Sequence, residues 1–115
     1  MTQQVASIES WHAHVYFDAA SRERAFALRT VVTETFAGRM EIGRFHEKPV
    51  GPHPRWSFQI AFAPQVFDAI VPWLTLNRED LVVFTHPNTG DAVGDHRDRA
   101  IWMGAKLELD LAALD

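Results

Sequence analysis

One segment decides how the rest of the chain is interpreted: His86-Pro87-Asn88-Thr89-Gly90-Asp91, which closes at Asp95-His96. It directly follows an apolar run at 81–85 that has the composition of a strand. Pro87 lacks a backbone donor and Asn-Thr-Gly-Asp is typical of turns, so we expect residues 86–100 to be irregular. A long loop in a small domain is more often functional than incidental. His86 and His96 are therefore the first candidates for a functional site.

Composition narrows the class of protein. A chain of 115 residues predicts one domain, here 10–115 after a polar lead-in at 1–9, able to bury roughly two thirds of its unfolded surface. The net charge of -4, with no basic run, argues against nucleic acid. Cysteine is absent, so a metal ion would need His, Asp or Glu ligands, which favours iron, manganese or zinc. The lack of a signal peptide and of a long apolar run predicts a cytoplasmic protein without a membrane partner.

Residues 11–17 alternate with a period of two, as in a half-buried strand. Trp11, Ala13, Val15 and Phe17 share one face, and His12, His14 and Tyr16 share the other. The remaining pattern predicts a helix at 19–37, a strand at 40–45, a loop at 46–54, a strand at 56–62, a helix at 64–76, a strand at 81–85, a short strand at 101–103, and a strand or last turn at 107–111.

This order of elements predicts an α+β fold, a ferredoxin-like sandwich with a four-stranded antiparallel sheet and two helices on one face. The other face of the sheet is polar, and the predicted monomer has little to cover it. We therefore expect a homodimer in which these faces pair as a dimeric α/β barrel-like assembly. The loop 86–100 would help to close the pocket.

The predicted strand order brings histidines together. We expect the first strand to lie between the third and fourth, parallel to the third and antiparallel to the fourth. The start of strand one, the start of strand three and the end of strand four would then lie at the same end of the sheet. These positions carry His12 and His14, His53, and His86 respectively. The same face of the sheet would carry Tyr16, Arg55, Ser57 and Gln59.

Such a cluster suits metal binding or acid–base chemistry. Neutral imidazoles bind zinc, iron or copper, and His12 and His14 would lie roughly 7 Å apart on one strand face. A single histidine on a strand is usually only a half-exposed polar residue, so the hypothesis depends on the agreement of four. Asp91 or Asp95 could complete a two-His-one-carboxylate iron site, or could hold the loop through backbone hydrogen bonds. We interpret His46 as structural, and Trp73 and Trp102 as core residues.

Three separated motifs resemble the DOPA 4,5-dioxygenase family over about residues 9–110. They are Trp11-His12-Ala13-His14-Val15-Tyr16-Phe17, then Gly51-Pro52-His53-Pro54, then His86-Pro87-x-Thr89-Gly90 followed by Asp95-His96 and Ala100-Ile101-Trp102-Met103-Gly104. The resemblance implies extradiol cleavage of a catechol, such as 3,4-dihydroxyphenylalanine, by O2 at a non-haem Fe(II) ion. Zinc or another divalent metal could replace iron in a purified sample.

The resemblance also supplies candidate residues. It implies functional roles for His12, His14, His53, His86 and His96 without ranking them. We assign His12, His14, His53 and His86 to the metal, His96 and Tyr16 to catalysis, and Arg55, Ser57 and Gln59 to substrate binding. No carboxylate is predicted on a strand beside these histidines, which is a departure from the usual non-haem iron pattern.

Two other functions remain open at this point. One is a cofactor-free enzyme of the dimeric α+β barrel type, in which the histidines act only as acid–base groups. The other is a non-enzymatic domain that binds a small ligand, since a fold alone does not determine a function. Metal analysis separates the first hypothesis from both, and catechol turnover separates the enzymes from the binding domain.

Overall fold

The computed structural model describes residues 7–114, so most of the predicted lead-in lies outside the described part. The elements in chain order are β1 (Ser10–Phe17), α1 (Arg22–Thr35), β2 (Glu41–Ile42), β3 (Trp56–Phe62), α2 (Phe67–Asn77), β4 (Val83–Asn88), α3 (Ala92–Arg97) and β5 (Ile101–Met103). Short 3₁₀ turns at Pro64–Val66 and Leu111–Leu114 precede α2 and end the described chain. None of the helices described is both long and apolar enough to cross a membrane.

Strand β1 lies at the centre of the sheet. The sheet has five strands in the order β2-β3-β1-β4-β5, and every pairing is antiparallel. The α+β class and the antiparallel sheet are confirmed, but the expected count of four strands is wrong. The segment 101–103, predicted as a strand, pairs with β4 as the fifth, with Met103 opposite Val83.

The predicted direction of the third strand was wrong. Strand β1 is antiparallel to β3, and Phe17 at the end of β1 lies opposite Trp56 at the start of β3. The chain crosses over from β1 to β2 through α1 and then reverses between β2 and β3, which are antiparallel. The start of β3 and the start of β1 therefore lie at opposite ends of the sheet. His53 cannot reach the other histidines by strand order alone.

The two faces of β1 belong to two different clusters, as the alternation predicts. Ala13, Val15 and Phe17 are buried against α1, α2 and the apolar side of β3. The main apolar residues that meet them are Ala25, Leu28, Val32, Phe58, Ile60, Ile70 and Leu74. The odd-numbered residues of β1 therefore pack the sheet against the helices. The even-numbered residues point to the other face, where they can form a site.

The opposite face is covered by the chain itself. Tyr16 and Phe84 are buried there, with Trp102, Leu107 and Leu109 packed against them. The backbone N–H of Asp110 donates to the carbonyl of Pro52 over 2.9 Å, which fastens the C-terminal segment across this face. The premise of an uncovered face was therefore wrong. The homodimer loses that support and stays a prediction.

The segment 86–100 is more regular than expected. Its first residues, 86–88, continue β4, and residues 92–97 form α3. Pro87 is tolerated in β4 because the pairing with β5 ends at Thr85, so the strand has a free edge at that point. Asp91 begins α3 as its N-cap, since its Oδ1 accepts the Gly94 N–H over 3.1 Å. The expectation of an irregular loop holds only for residues 89–91 and 98–100.

Candidate metal centre

Three histidines meet on the face of the sheet opposite the large helices. His12 and His14 project from β1, and His86 lies directly opposite His12 on β4. One ring nitrogen from each of the three lies within 4.8 Å of the others, an arrangement that could hold a metal ion. His14 and His86 are buried, and His12 is half-buried. The group follows from two features of the sheet. His12 and His14 share a face because they are two residues apart on one strand, and the register of β4 places His86 opposite His12.

The ring of His86 is oriented by the backbone. Its Nδ1 lies 2.9 Å from the carbonyl oxygen of Pro87, which can only accept a hydrogen bond. Nδ1 therefore carries the proton, and the lone pair is on Nε2, which faces Nε2 of His14 at 3.1 Å. Metal-binding histidines usually show this pattern, with one nitrogen donating to a carbonyl and the other bound to the ion.

Burial keeps these imidazoles neutral. It lowers the pKa of His14 well below its usual value, and the neighbouring histidines, His53 first, lower it further. Burial also lowers the pKa of His86 to about 3, although the hydrogen bond to Pro87 opposes the shift. Burial and then His96 lower the pKa of His12. Neutral imidazole is the form that binds a metal ion, so the donor set fits a divalent cation at neutral pH.

The two aspartates of the loop, Asp91 and Asp95, use their carboxylates for hydrogen bonds within the segment 89–99. Asp95 is buried, and its carboxylate accepts from the Thr89 backbone at 2.7 Å, the Thr89 hydroxyl at 2.8 Å and Arg99 at 3.0 Å. Asp91 caps α3. These carboxylates therefore hold the loop, and the group of three contains histidine alone. Three nitrogen ligands leave open positions on an ion, as catalytic sites require.

His53 reaches the group by a route that the sequence did not predict. It lies between Pro52 and Pro54 on the loop before β3, and its ring centroid is 4.2 Å from that of His14. Its Nδ1 is 2.6 Å from the hydroxyl of Tyr16. Burial lowers the pKa of His53 to about 4, and the neighbours His96, His46 and His12 add to the shift. His53 lies beside the group of three but is not a member of it.

His96 stacks on the outside of the group. It projects from α3, and its ring centroid lies 3.9 Å from that of His86. Its Nδ1 is 2.7 Å from the carbonyl oxygen of Ala92. The carbonyl must accept, so His96 also carries its lone pair on Nε2. A half-buried imidazole with a free lone pair can accept a proton from a ligand.

The predicted substrate-binding residues have different positions. Ser57 and Gln59 lie directly opposite Tyr16 and His14 in the β1–β3 ladder, so they share the face of the histidines. Arg55 precedes β3 and is exposed. It lines a surface cavity with residues such as Asp18 and Asp80, and the lining contains no histidine. The structure therefore places Ser57 and Gln59 opposite Tyr16 and His14, whereas Arg55 shares a cavity with Tyr16 but with no histidine.

Sequence reasoning missed two aromatic residues of this face. The ring of Phe84 lies 5.6 Å from His14, 5.3 Å from His86 and 4.5 Å from Trp102, centroid to centroid. Its position two residues before His86 was the available signal, because it places both on one face. Trp102, interpreted as a core residue, does pack against the buried Phe84 and Tyr16, but it is half-buried and lies on the histidine face.

A cavity of about 230 Å³ opens beside His96. It lies between α3 and the C-terminal segment, and its apolar wall includes Trp102, Leu107 and Leu109. Arg97, Lys106 and Glu108 also line it. The cavity therefore connects an apolar, aromatic surface with the outer face of the histidine cluster.

Fold and site together define an α+β protein whose buried three-histidine group could hold a metal ion. The chain belongs to the Dopa 4,5-dioxygenase family, whose sequence profile matches residues 11–113.

Individual relatives agree with this assignment. The chain is 32% identical to the DOPA 4,5-dioxygenase of Amanita muscaria, over 95% of this chain and 51% of that protein. It is 39% identical to an uncharacterized 21.2 kDa protein of Botryotinia fuckeliana, over 90% of this chain and 62% of that protein. The chain thus spans between half and two thirds of these relatives' lengths. A Nostoc punctiforme crystal structure, provisionally described as a dioxygenase, superposes with a TM-score of 0.88 at 47% identity, covering 98% of this chain and 96% of that one.

Proposed function

We propose that this protein is an extradiol dioxygenase that cleaves a catechol, such as 3,4-dihydroxyphenylalanine, with O2 at a ferrous ion. The observation that carries the proposal is the convergence of His12, His14 and His86, with their nitrogens within 4.8 Å of one another. The family and the name of the Amanita relative support the dioxygenase activity and the catechol.

The three histidines would hold the ion, and His86 presents its Nε2 lone pair for that purpose. When bound, a ferrous ion supplies Lewis acidity toward the two diol oxygens and redox chemistry toward O2. The buried setting of His14 and His86 excludes water from one side of the site. Exclusion of water protects a reactive intermediate from side reactions.

His96 has the geometry of a general base. The bond from its Nδ1–H to Ala92 leaves Nε2 free to take a proton from a diol hydroxyl. The cavity beside it, walled by Trp102, Leu107 and Leu109, could receive the aromatic ring. Ser57 and Gln59 remain candidates for contacts to the substrate, because they share the histidine face.

The test is metal content and oxygen consumption after anaerobic purification. We expect about one iron per chain, since one group of three histidines could hold it, and uptake of O2 with catechols. The His14→Ala and His86→Ala variants should lose both the metal and the activity, whereas His46→Ala should keep both because His46 lies outside the group. Full metal content in both His14→Ala and His86→Ala would refute this assignment.

One observation favours the cofactor-free alternative. His14 Nε2 and His86 Nε2 can share a proton across 3.1 Å, so the two rings can be satisfied without an ion. Catechol turnover by protein that contains no metal would select this alternative. Homodimerisation and cytoplasmic location remain predictions, as does the role of residues 10–115 as a single dioxygenase-like domain.

A further inference from the structure

Tyr16 and His53 form a pair that the proposed function does not use. The Tyr16 hydroxyl lies 2.6 Å from Nδ1 of His53, and Tyr16 is only 1% exposed. Among residues 7–114 the hydroxyl has no second hydrogen-bond partner. The pair adjoins the metal-binding group, since the rings of His53 and His14 are 4.2 Å apart.

The direction of this hydrogen bond follows from the partners. A buried hydroxyl proton is costly to leave without an acceptor, and Nδ1 of His53 is the acceptor at hand. Tyr16 therefore donates, and Nδ1 carries the lone pair. A neutral imidazole has one N–H, so the proton of His53 is on Nε2. His86 and His96 have the opposite tautomer, because their Nδ1 atoms face backbone carbonyls.

This tautomer removes His53 from the possible ligands. The lone pair of Nδ1 is occupied by the Tyr16 proton, and Nε2 already carries a hydrogen, so neither nitrogen is free to bind a metal ion. We infer that His53 donates a hydrogen bond through Nε2–H to an anionic oxygen of the ligand bound beside His12, His14 and His86. Tyr16 is the positioning residue that holds His53 in this state. The inference rests on the proposed function, because it takes a catecholate as the ligand.

The backbone around His53 is fastened at several points. The N–H of His53 donates to the carbonyl of Val50 over 3.0 Å, and the carbonyl of Pro52 accepts from Asp110 over 2.9 Å. Pro52 and Pro54 restrict the backbone on both sides. The Tyr16 hydroxyl then fixes the remaining freedom, the rotation of the ring. A donor held in this way loses little entropy when it binds a ligand.

The first test uses metal-free protein, so it does not depend on activity. Long-range ¹H–¹⁵N NMR distinguishes a protonated from an unprotonated imidazole nitrogen, and the His53 signals are those lost in His53→Gln. We expect the hydrogen of His53 on Nε2, and a mixture of tautomers in Tyr16→Phe, which removes only the hydroxyl. Protonation of Nδ1 in the unsubstituted protein would overturn the inference.

The second test separates a ligand from a donor. His53→Gln should keep the metal content of the parent, whereas His86→Ala should lose it. Binding of the catechol analogue 4-nitrocatechol should weaken by about 10- to 100-fold in His53→Ala, the range for a hydrogen bond to a charged group. His53→Gln, which retains an N–H donor, should recover part of that loss, and His46→Gln serves as the matched control. Loss of metal in His53→Gln would overturn the inference.

The two proposals can fail separately. If metal and 4-nitrocatechol bind as expected but no catechol is cleaved, the dioxygenase assignment fails and the role of His53 as a donor is supported. If catechols are cleaved but 4-nitrocatechol binds equally well to His53→Ala, the assignment stands and the inference about His53 is refuted.

Discussion

Three histidines of the site, His53, His86 and His96, have a tautomer set by the partner of the Nδ1 atom. Nδ1 of His86 and of His96 faces a backbone carbonyl, which is held in place by β4 and α3 respectively. A carbonyl cannot donate, so the fold itself selects the tautomer with a lone pair on Nε2. His53 faces a hydroxyl instead. Histidines at different positions of this site therefore have different tautomers, and so different chemical roles.

The role of His96 leads to a test at this scale. His96→Ala removes the candidate base but none of the three residues of the candidate metal-binding group. We expect the metal content to be retained and kcat to fall by about 10²- to 10⁴-fold, as for a lost acid–base group. Metal analysis and steady-state kinetics on one preparation measure both quantities. Loss of the metal together with the activity would show that His96 is a ligand.

At the scale of elements, α3 depends on one buried carboxylate. Asp95 joins the start of the loop to the helix through Thr89 and Arg99, and so holds the adjacent His96 over His86. Burial raises its pKa, but the hydrogen bonds from Thr89 and Arg99 outweigh that effect and lower it below the usual value. The ion pair is therefore formed at neutral pH and is lost only in strong acid.

Removal of this carboxylate should be costly. Asp95→Ala removes the acceptor of both the Thr89 N–H and the Thr89 hydroxyl, and leaving a donor unpaired in this way typically costs about 1–3 kcal/mol. Arg99 keeps the Asp91 carboxylate at 3.7 Å and the Thr89 hydroxyl at 3.0 Å. Urea unfolding should show the loss, and kcat should fall while the metal content is unchanged. Asp98→Ala is the control, because the Asp98–Arg97 pair is exposed and such pairs contribute about 0–1 kcal/mol. Equal stabilities for the two variants would contradict the role of Asp95.

The helix also depends on a glycine. A Cβ at position 94 would collide with Oδ2 of Asp91, the residue that caps α3. We expect Gly94→Ala to displace the cap and to destabilise the protein by about 1 kcal/mol, the usual cost of a lost N-cap. The measurement is again urea unfolding, compared with Asp91→Ala. If the cap is the cause, the double variant should cost little more than either single change.

The elements differ in how well the sequence predicts them. The alternation at 11–17 predicted both faces of β1, because a period of two allows only one assignment of sides. Helix α3 was missed because Pro87 and the run Asn-Thr-Gly-Asp are typical of turns, whereas the carboxylates that stabilise the helix act only once Thr89 and Arg99 are near. His53 was placed correctly near the site but for a wrong reason. Loop 46–54 folds over the sheet, and no local pattern encodes that path.

At the scale of the whole molecule, the buried neutral histidines make stability depend on pH. Folding lowers the pKa of His53 to about 4 and of His86 to about 3, whereas an unfolded histidine titrates near about 6.5. Below about pH 6.5 the unfolded chain therefore binds more protons than the folded one, and stability falls as pH decreases. The stabilising contribution is complete above this pH and is lost progressively toward the folded-state values.

Urea unfolding of the metal-free protein between about pH 8 and about pH 5 tests this dependence. Each neutral histidine should contribute a slope of about 1.4 kcal/mol per pH unit below its unfolded pKa. His86→Gln should give a shallower slope than the parent, because it removes one of the buried neutral histidines. A stability that is constant across this range would show that the cluster is already protonated or solvated.

The oligomeric state also belongs to this scale. The chain covers its own histidine face with Trp102 and the C-terminal segment, so a dimer is not required to bury that face. The prediction of a homodimer is tested by light scattering, where the monomer has a mass of 13.1 kDa. A stable monomer that binds metal and cleaves catechols would show that one chain forms the complete site.

The central position of β1 has a further consequence for motion. Its residues are hydrogen-bonded to β3 on one side and β4 on the other, so His12 and His14 can separate from His86 only when β1 and β4 come apart. His96 lies on a helix of six residues, which can open with a much smaller free energy. Hydrogen exchange should therefore be slowest in β1 and faster around residues 91–98. A molecule built in this way can admit and release a ligand beside His96 while His12, His14 and His86 keep their positions.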